Sequence, residues 1–244
     1  MSARAADLCP WHEWRGHALV VGAGGIGQAL LAALPERAPH LRLWSAGRRQ
    51  GDLRVDLEDP GSLDQLAQAA LHDLSPLRLV IYAAGLLHGD GLQPEKRLSQ
   101  VDTASLQRSF TVNAWGPLLV AKAVEAALPR LEPCHLASLS ARVGSIGDNR
   151  LGGGSADRAA KAAQNQLLRT LALEWGRRLP LACVTLLHPG TTATALSEPF
   201  RSSVPVGRLF SPEQAAGYLL DVLERQTPAS SGAFLAWDGQ PIPW

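Results

Sequence analysis

Three features of the chain point to an α/β fold, a doubly wound parallel sheet with helices on both faces. Short apolar runs alternate with longer windows of helical periodicity along nearly the whole length. Several of the short runs, such as 79–84 and 182–187, are nearly continuous in apolar residues rather than alternating, the pattern of strands covered on both faces. A glycine-rich turn joins the first run to the first helical window. Parallel neighbours require crossovers, and crossovers of one hand distribute the helices over the two faces.

Strands are expected at 17–22, 41–45, 53–57, 77–83, 134–140, 181–187 and 232–236. Helices are expected at 26–34, 62–73, 103–128, 157–178 and 212–225. Ser211 followed by Pro212 supplies a cap and a first-turn proline to the last helix, and Asp59-Pro60 starts another in similar fashion. No internal repeat or linker divides two cores, and Gly152–Gly154 is too short to be one. The expectation is one domain over 17–244, preceded by a loose extension, 1–16, whose Trp11 and Trp14 could cover a neighbouring surface.

Composition narrows the function. The 244 residues carry 23 Lys+Arg against 22 Asp+Glu, a formal net charge of +1. That balance argues against nucleic-acid binding, which needs a positive excess. The three cysteines, Cys9, Cys134 and Cys183, lie far apart without ligand spacing, which argues against a disulfide framework or structural zinc. No metal site is expected, since His12, Glu13 and His17 sit on the extension at non-helical spacing. No run approaches membrane-spanning length, and the opening residues lack the apolar core of a leader. A soluble, cytoplasmic protein without membrane contact is the expectation.

Ligands of doubly wound sheets bind beyond the carboxyl ends of the strands, so chemistry is sought in the turns there. Gly22, Gly24 and Gly27 match GxGxxG directly after the first strand. Glycines there let the backbone approach a pyrophosphate, and the helix that follows presents free N–H groups to it. The second strand ends in Ser45-Ala46-Gly47-Arg48-Arg49, with two arginines where an NAD site carries an acid. A guanidinium at Arg48 pairs with a 2′-phosphate, which favours NADP(H) over NAD(H). Asp56 closes the third strand, where it can accept from an adenine amino group or cap the following loop.

Taken in order, these and later motifs resemble the classical short-chain dehydrogenases/reductases from Gly16 to Trp244. The matching features are the Gly22–Gly27 cluster, Asp56-Leu57, Ala83-Ala84-Gly85, Asn113, the stretch 139–145, Lys161 and Pro189-Gly190-Thr191. The stretch 139–153 and the ending 238–244 are most similar to the C-factor and sniffer-like carbonyl reductase branch. The resemblance implies a Rossmann-type sheet of about seven strands and hydride transfer between a nicotinamide and a carbonyl or alcohol. It implies cofactor contacts at Gly22, Gly24, Gly25, Ile26, Gly27, Ser45, Arg48, Asp56, Leu57, Ala83, Ala84, Gly85, Asn113, Lys161, Pro189, Gly190 and Thr191. Family spacing would put the first glycine at Val21, and the cluster that follows still supplies small residues.

The resemblance also locates a departure. The family carries a tyrosine four residues before the lysine, and here that position is Asp157. The tyrosine donates a proton to the carbonyl oxygen as hydride arrives. An aspartate beside an ammonium is expected to be a carboxylate at neutral pH, an acceptor that repels the developing alkoxide. Losing general-acid catalysis would slow turnover by roughly 10²–10⁴. The family serine would fall on Ala141, with Ser140 one residue earlier and Ser138 and Ser145 as other candidates. Asn113 can brace its turn or help order a water near Lys161, and Lys161 is expected on the ribose. His188, alone before Pro189, is either structural or a ligand contact. Residues 148–154 border the substrate mouth, where Gly154 replaces an aromatic residue of the branch and suggests an altered pocket.

Two functions lead, beside a third in which Asp157 serves as the base of a different reaction. One is an NADP(H)-dependent oxidoreductase of small carbonyls or alcohols, using Asn113, Ser140, Asp157 and Lys161. The other is an NADP(H)-binding protein, impaired or inactive in turnover, that serves as a sensor or partner subunit. The small-residue helices 103–128 and 157–178 match the family's four-helix interface, which implies a homodimer or homotetramer. Residues 192–208 correspond to the family's substrate lid, lined by Leu196, Phe200, Val204 and Val206, so an uncharged substrate is expected.

Overall fold

The apolar runs become the strands of one seven-stranded parallel sheet. The computed structural model describes residues 10–89, 91–205 and 207–244. Its first half contains β1 (Gly16–Val21), α1 (Gly25–Arg37), β2 (Leu41–Gly47), β3 (Leu53–Arg54), α2 (Pro60–Asp73) and β4 (Leu77–Tyr82). Then come α3 (Thr103–Ser109), α4 (Gly116–Val124), β5 (Cys134–Leu139), α5 (Ser155–Arg178) and β6 (Ala182–His188). The chain closes with β7 (Thr191–Thr192), β8 (Leu209–Phe210), α6 (Pro212–Leu223) and β9 (Ala233–Ala236). The main sheet has the order β3-β2-β1-β4-β5-β6-β9, while β7 and β8 pair as a separate ribbon.

Alternation within each strand explains the continuous apolar runs. Leu19 and Val21 share one face with Val80 and Tyr82 and meet Leu66 of α2, Val124 of α4 and Trp175 of α5. Ala18 and Val20 share the other with Leu79 and Ile81, against Leu30 and Leu34 of α1 and Leu219 and Leu223 of α6. Strand order reverses between β1 and β4, so a crevice opens at their carboxyl ends, where Gly22 and Ala83 begin their turns.

The capping signals act as read. Asp59 accepts from Gly61 N with Pro60 in the first turn of α2. Ser211 and Gln214 form a reciprocal capping box on α6. The described part of the extension is not loose, because Trp11 and Trp14 are buried, 5.4 Å apart, with the Arg78 guanidinium over the Trp14 ring.

Two elements depart from expectation. The third strand keeps only Leu53–Arg54 of the expected 53–57, because Asp56 N turns to donate to Ser62 Oγ of α2. The continuous helix expected at 103–128 is interrupted by a π-helical stretch, Phe110–Trp115. The buried Tyr82 hydroxyl donates to Val112 O at 2.7 Å, and Pro117 has no N–H to extend the regular ladder. No described helix is long and apolar enough to cross a membrane.

Candidate active site

The glycine turn is built around close backbone approach. Gly22 has φ +103°, and a Cβ there would overlap the backbone of Ala84, while one on Gly27 would overlap Gly22 O. Ala83 N donates to Val21 O, which ties this alanine pair to β1. A Cβ on Gly25 would lie 2.7 Å from Thr194 Cγ2. Gly24 differs, since a Cβ on it would meet no atom within 4 Å. Gly24 is also the cap residue of α1, which has no side-chain cap, so the first turn, Gly25, Ile26 and Gly27, is uncapped beside the open space at Gly24. This cradle fits an anionic pyrophosphate.

At the end of β2, Arg48 lies 3.6 Å from Glu58, which also lies 3.9 Å from Arg108. The Arg48–Glu58 pair is largely exposed, a geometry worth at most about 1 kcal/mol. Asp52, a residue the sequence reading passed over, shapes this turn. Its carboxylate accepts from Ser45 N at 2.8 Å and from Ser45 Oγ at 2.7 Å, and those bonds hold it below the usual carboxylate range. The Ser45 hydroxyl is thereby committed to Asp52. Asp56 accepts from Glu58 N and lies 3.8 Å from Arg54, so its carboxylate caps the local turn. Leu57 packs against the core beside Gly116.

One stripe of α5 carries the rest of the site. Lys161 is 8 % exposed and donates from Nζ to Leu139 O at 2.9 Å. Gln164 donates to Ser138 Oγ at 2.7 Å and to Leu139 O at 3.2 Å. The Ser140 hydroxyl, also buried, donates to Asn165 Oδ1 at 2.6 Å. It faces α5 rather than open space, in contrast to its expected catalytic role. Ser145 Oγ accepts from Asp148 N, so all three candidate serines have inward or local partners. The close fit of α5 explains this: a Cβ on Gly144 would lie 2.9 Å from Lys161, which brings the 140–145 segment hard against the helix.

Asn113 lies in the π-helical stretch and is 1 % exposed. Its Oδ1 accepts from Leu86 N at 2.9 Å, and its Nδ2 donates to Leu86 O at 2.6 Å and Ser109 Oγ at 3.2 Å. Ser109 in turn donates to Ala156 O, linking the turn after β4 to the start of α5. This side chain is a brace. Gly85 belongs to the same turn, 3.8 Å from Asn113 Oδ1 when a Cβ is built on it.

The shift at Asp157 is opposite in sign to the one expected. Burial pushes this carboxyl above its usual range and Glu95 adds to the effect, while Lys161 and Arg158 pull it down by less. Sequence spacing exposed the neighbouring ammonium, but not the packing of Glu95 against the helix start. The Lys161 amine is lowered to about 8, chiefly by burial, with Asp157 opposing. Burial thus favours the protonated form of Asp157, where the ammonium was expected to favour the carboxylate.

The far side of the mouth is ordered by close packing. Gly190 has φ +75°, and a Cβ on it would lie 2.5 Å from the Phe210 ring. Pro189 precedes it, and Thr191 pairs with Leu209. His188 Nδ1 is buried with no hydrogen-bond partner among the described residues. Burial and the charge of Arg142 lower its imidazole to about 4. The segment expected as a lid contains a 3₁₀ helix, Ala195–Ser203, whose Thr194 and Ser197 cap each other, and His88 contacts Ala195 O at 3.0 Å. Leu196 approaches Gly85, and Phe200 and Val204 lie on the same segment; Val206 is outside the described residues. A Cβ on Gly154 would meet nothing within 4 Å, an open flank at the start of α5.

Comparison with known proteins agrees with this geometry. Residues 16–204 match a family model described as short chain dehydrogenase. The 1-hydroxy-2-glutathionyl-2-methyl-3-butene dehydrogenase of Rhodococcus sp. (strain AD45) is 32% identical over 193 residues, covering 78% of each chain. C-signal of Myxococcus xanthus is 34% identical over 148 residues, 60% of this chain and 83% of its own. An NADPH-bound carbonyl reductase from chicken fatty liver superposes with a TM-score of 0.79 at 22% identity, over 95% of this chain and all of its own. The carbonyl reductase Sniffer of D. melanogaster gives 0.79 at 21% identity with the same coverage, and at these identities both report the fold.

Proposed function

The chain belongs to the short-chain dehydrogenase/reductase family of oxidoreductases, and from that premise we propose an NADP(H)-dependent enzyme interconverting a small carbonyl and an alcohol, with Asp157 standing where the family has a tyrosine. The reading is supported most by Asp157 itself, a carboxyl raised by burial one helical turn before the buried Lys161. A carboxyl that retains its proton can donate to a carbonyl oxygen, which a bare carboxylate cannot.

The residues present fit the cofactor. The uncapped turn Gly24–Gly27, open where the Gly24 Cβ would project, would take the pyrophosphate. Gly22, Ala83, Ala84 and Gly85 would line its floor. Ser45, Arg48, Asp56 and Leu57 would flank the adenosine end, with Arg48 exchanging its weak pairing with Glu58 for a 2′-phosphate. Lys161 would meet the ribose, and Pro189, Gly190 and Thr191 the nicotinamide side. When bound, the nicotinamide supplies or accepts the hydride. The protein's own residues do the rest: Lys161 is fixed by Leu139 O, Asn113 braces the β4 turn, and Asp157, its protonated form favoured by burial, would be the proton donor.

The NADPH-bound state of the chicken structure is in keeping with this cofactor. Exposed Trp115 and Leu173, on the helices expected to pair, favour a homodimer or homotetramer. The free, buried thiols Cys134 and Cys183 favour a reducing cytoplasm. A second reading, nucleotide binding without turnover, is favoured by one observation: Ser140 donates its hydroxyl to Asn165 rather than towards a substrate, while Ser138 and Ser145 accept from Gln164 and Asp148 N.

Asp157→Tyr separates the two. The enzyme reading expects slow NADPH oxidation with a carbonyl panel in the wild type, loss in Asp157→Asn, and a gain of roughly 10²-fold or more in Asp157→Tyr. Background rates in all three proteins, with NADPH bound, establish the second reading.

A further inference from the structure

Three separate segments meet at Glu58, beside the end of β2. Glu58 lies in the turn that follows Asp56-Leu57, and its backbone is fixed there. The Asp56 carboxylate accepts from Glu58 N at 3.2 Å, and Asp56 O accepts from Asp59 N at 3.1 Å. Asp56 N is in turn held by Ser62 Oγ of α2 at 2.7 Å. From this anchored turn the half-exposed Glu58 side chain reaches two guanidiniums. Oε2 lies 3.6 Å from Arg48 Nη1, and Oε1 lies 3.9 Å from Arg108 Nε. Arg48 comes from the exit of β2, and Arg108 comes from α3, far along the chain.

The ion pairs next to it have the opposite balance. Arg54 lies 3.8 Å from both Asp56 and Asp59, one guanidinium beside two carboxylates. Glu58 is one carboxylate between two guanidiniums, and both of its separations exceed hydrogen-bond length. It therefore holds each arginine loosely, and it is placed to compete with any other anion that comes to Arg48.

We propose that Glu58 sets the strength of the preference for NADP(H): it opposes a 2′-phosphate by competing for Arg48, and Arg108 draws it aside when Arg48 turns to the phosphate. The inference rests on the reading of Arg48 as the 2′-phosphate residue. Two effects of Glu58 run in one direction. Its carboxylate competes for the guanidinium, and its charge repels a phosphate that carries about −1.5 to −2 at neutral pH. NADH lacks this phosphate, so neither effect reaches it. Both pairs lie at the surface and are screened by salt, and the ceiling for such a pair corresponds to about fivefold in binding. Arg108 acts on the phosphate only through Glu58, so its effect vanishes once Glu58 is neutral.

The test is calorimetric titration of the wild type, Glu58→Gln, Arg108→Gln and the double variant with NADPH and with NADH, at low ionic strength. Glu58→Gln keeps the side-chain size and is expected to tighten NADPH about three- to fivefold while leaving NADH unchanged. Arg108→Gln is expected to weaken NADPH by about the same factor, and the double variant to bind like Glu58→Gln. If the wild type prefers NADPH but Glu58→Gln leaves its affinity unmoved or lower, the inference is overturned and the Arg48 reading stands. An Arg108→Gln loss that persists in the double variant overturns it as well. A wild type that does not distinguish the nucleotides, beside a Glu58→Gln protein that prefers NADPH, refutes the proposed preference and keeps Glu58 in its role. Equal affinities, or no binding, in all four proteins overturn both.

Discussion

Replacing Lys161 by methionine removes a buried amine while nearly preserving the shape of its stem. The amine is lowered from 10.5 to about 8 by burial, which at about 1.4 kcal/mol per pH unit corresponds to roughly 3 kcal/mol. The sign follows from proton binding. Between about pH 8 and 10.5 the unfolded chain holds this proton and the folded chain has released it, so folding gains stability as pH rises. Below about pH 8 the burial penalty is present in full. Urea unfolding of both proteins across this range is therefore expected to show the wild type gaining about 3 kcal/mol relative to Lys161→Met. Groups that do not interact with Lys161 cancel in the difference. At neutral pH the variant loses a donor to Leu139 O but is relieved of the buried charge, so the two proteins should be of similar stability. A difference that stays flat from pH 8 to 10.5 would refute the buried, perturbed lysine.

The glycine turn makes opposite predictions at two neighbouring positions. Gly22→Ala places a Cβ on a left-handed residue against Ala84, and is expected to lower stability by about 2 kcal/mol, or about 4–8 °C in thermal midpoint. Gly24→Ala meets nothing within 4 Å and should melt like the wild type, while binding NADPH about tenfold or more less tightly in calorimetry. Ser140→Ala orphans Asn165 Oδ1 in a buried site, so a loss of about 1–3 kcal/mol in chemical denaturation is expected. Unchanged stability in that variant would mean that the hydroxyl is not committed to α5.

The parts of this molecule legible in sequence are those set by local periodicity. Continuous apolar runs identified doubly covered strands because both Leu19 and Val20 find a helix layer. Pro60 and Pro212 marked helix starts because proline acts within one turn. What escaped depends on contacts distant along the chain. The Tyr82 hydroxyl reaches Val112 and helps turn one expected helix into α3, a π stretch and α4. Asp52 returns to Ser45 across the arginine turn, which reading the end of the strand for an acid could not detect. Ser140 looked available by spacing, yet Asn165, 25 residues on, takes its hydroxyl. The ionisation of Asp157 was read from Lys161 alone, the partner visible at helical spacing, whereas burial acts more strongly in the other direction.

The central claim is a functioning NADP(H) site formed by the glycine cradle and Arg48. Calorimetric titration of nucleotide-free protein with NADPH and NADH tests it directly, with Arg48→Gln beside the wild type. The account predicts that NADPH binds at least about tenfold more tightly than NADH and that Arg48→Gln removes most of that preference. Equal affinities, or no binding of either nucleotide, would contradict it.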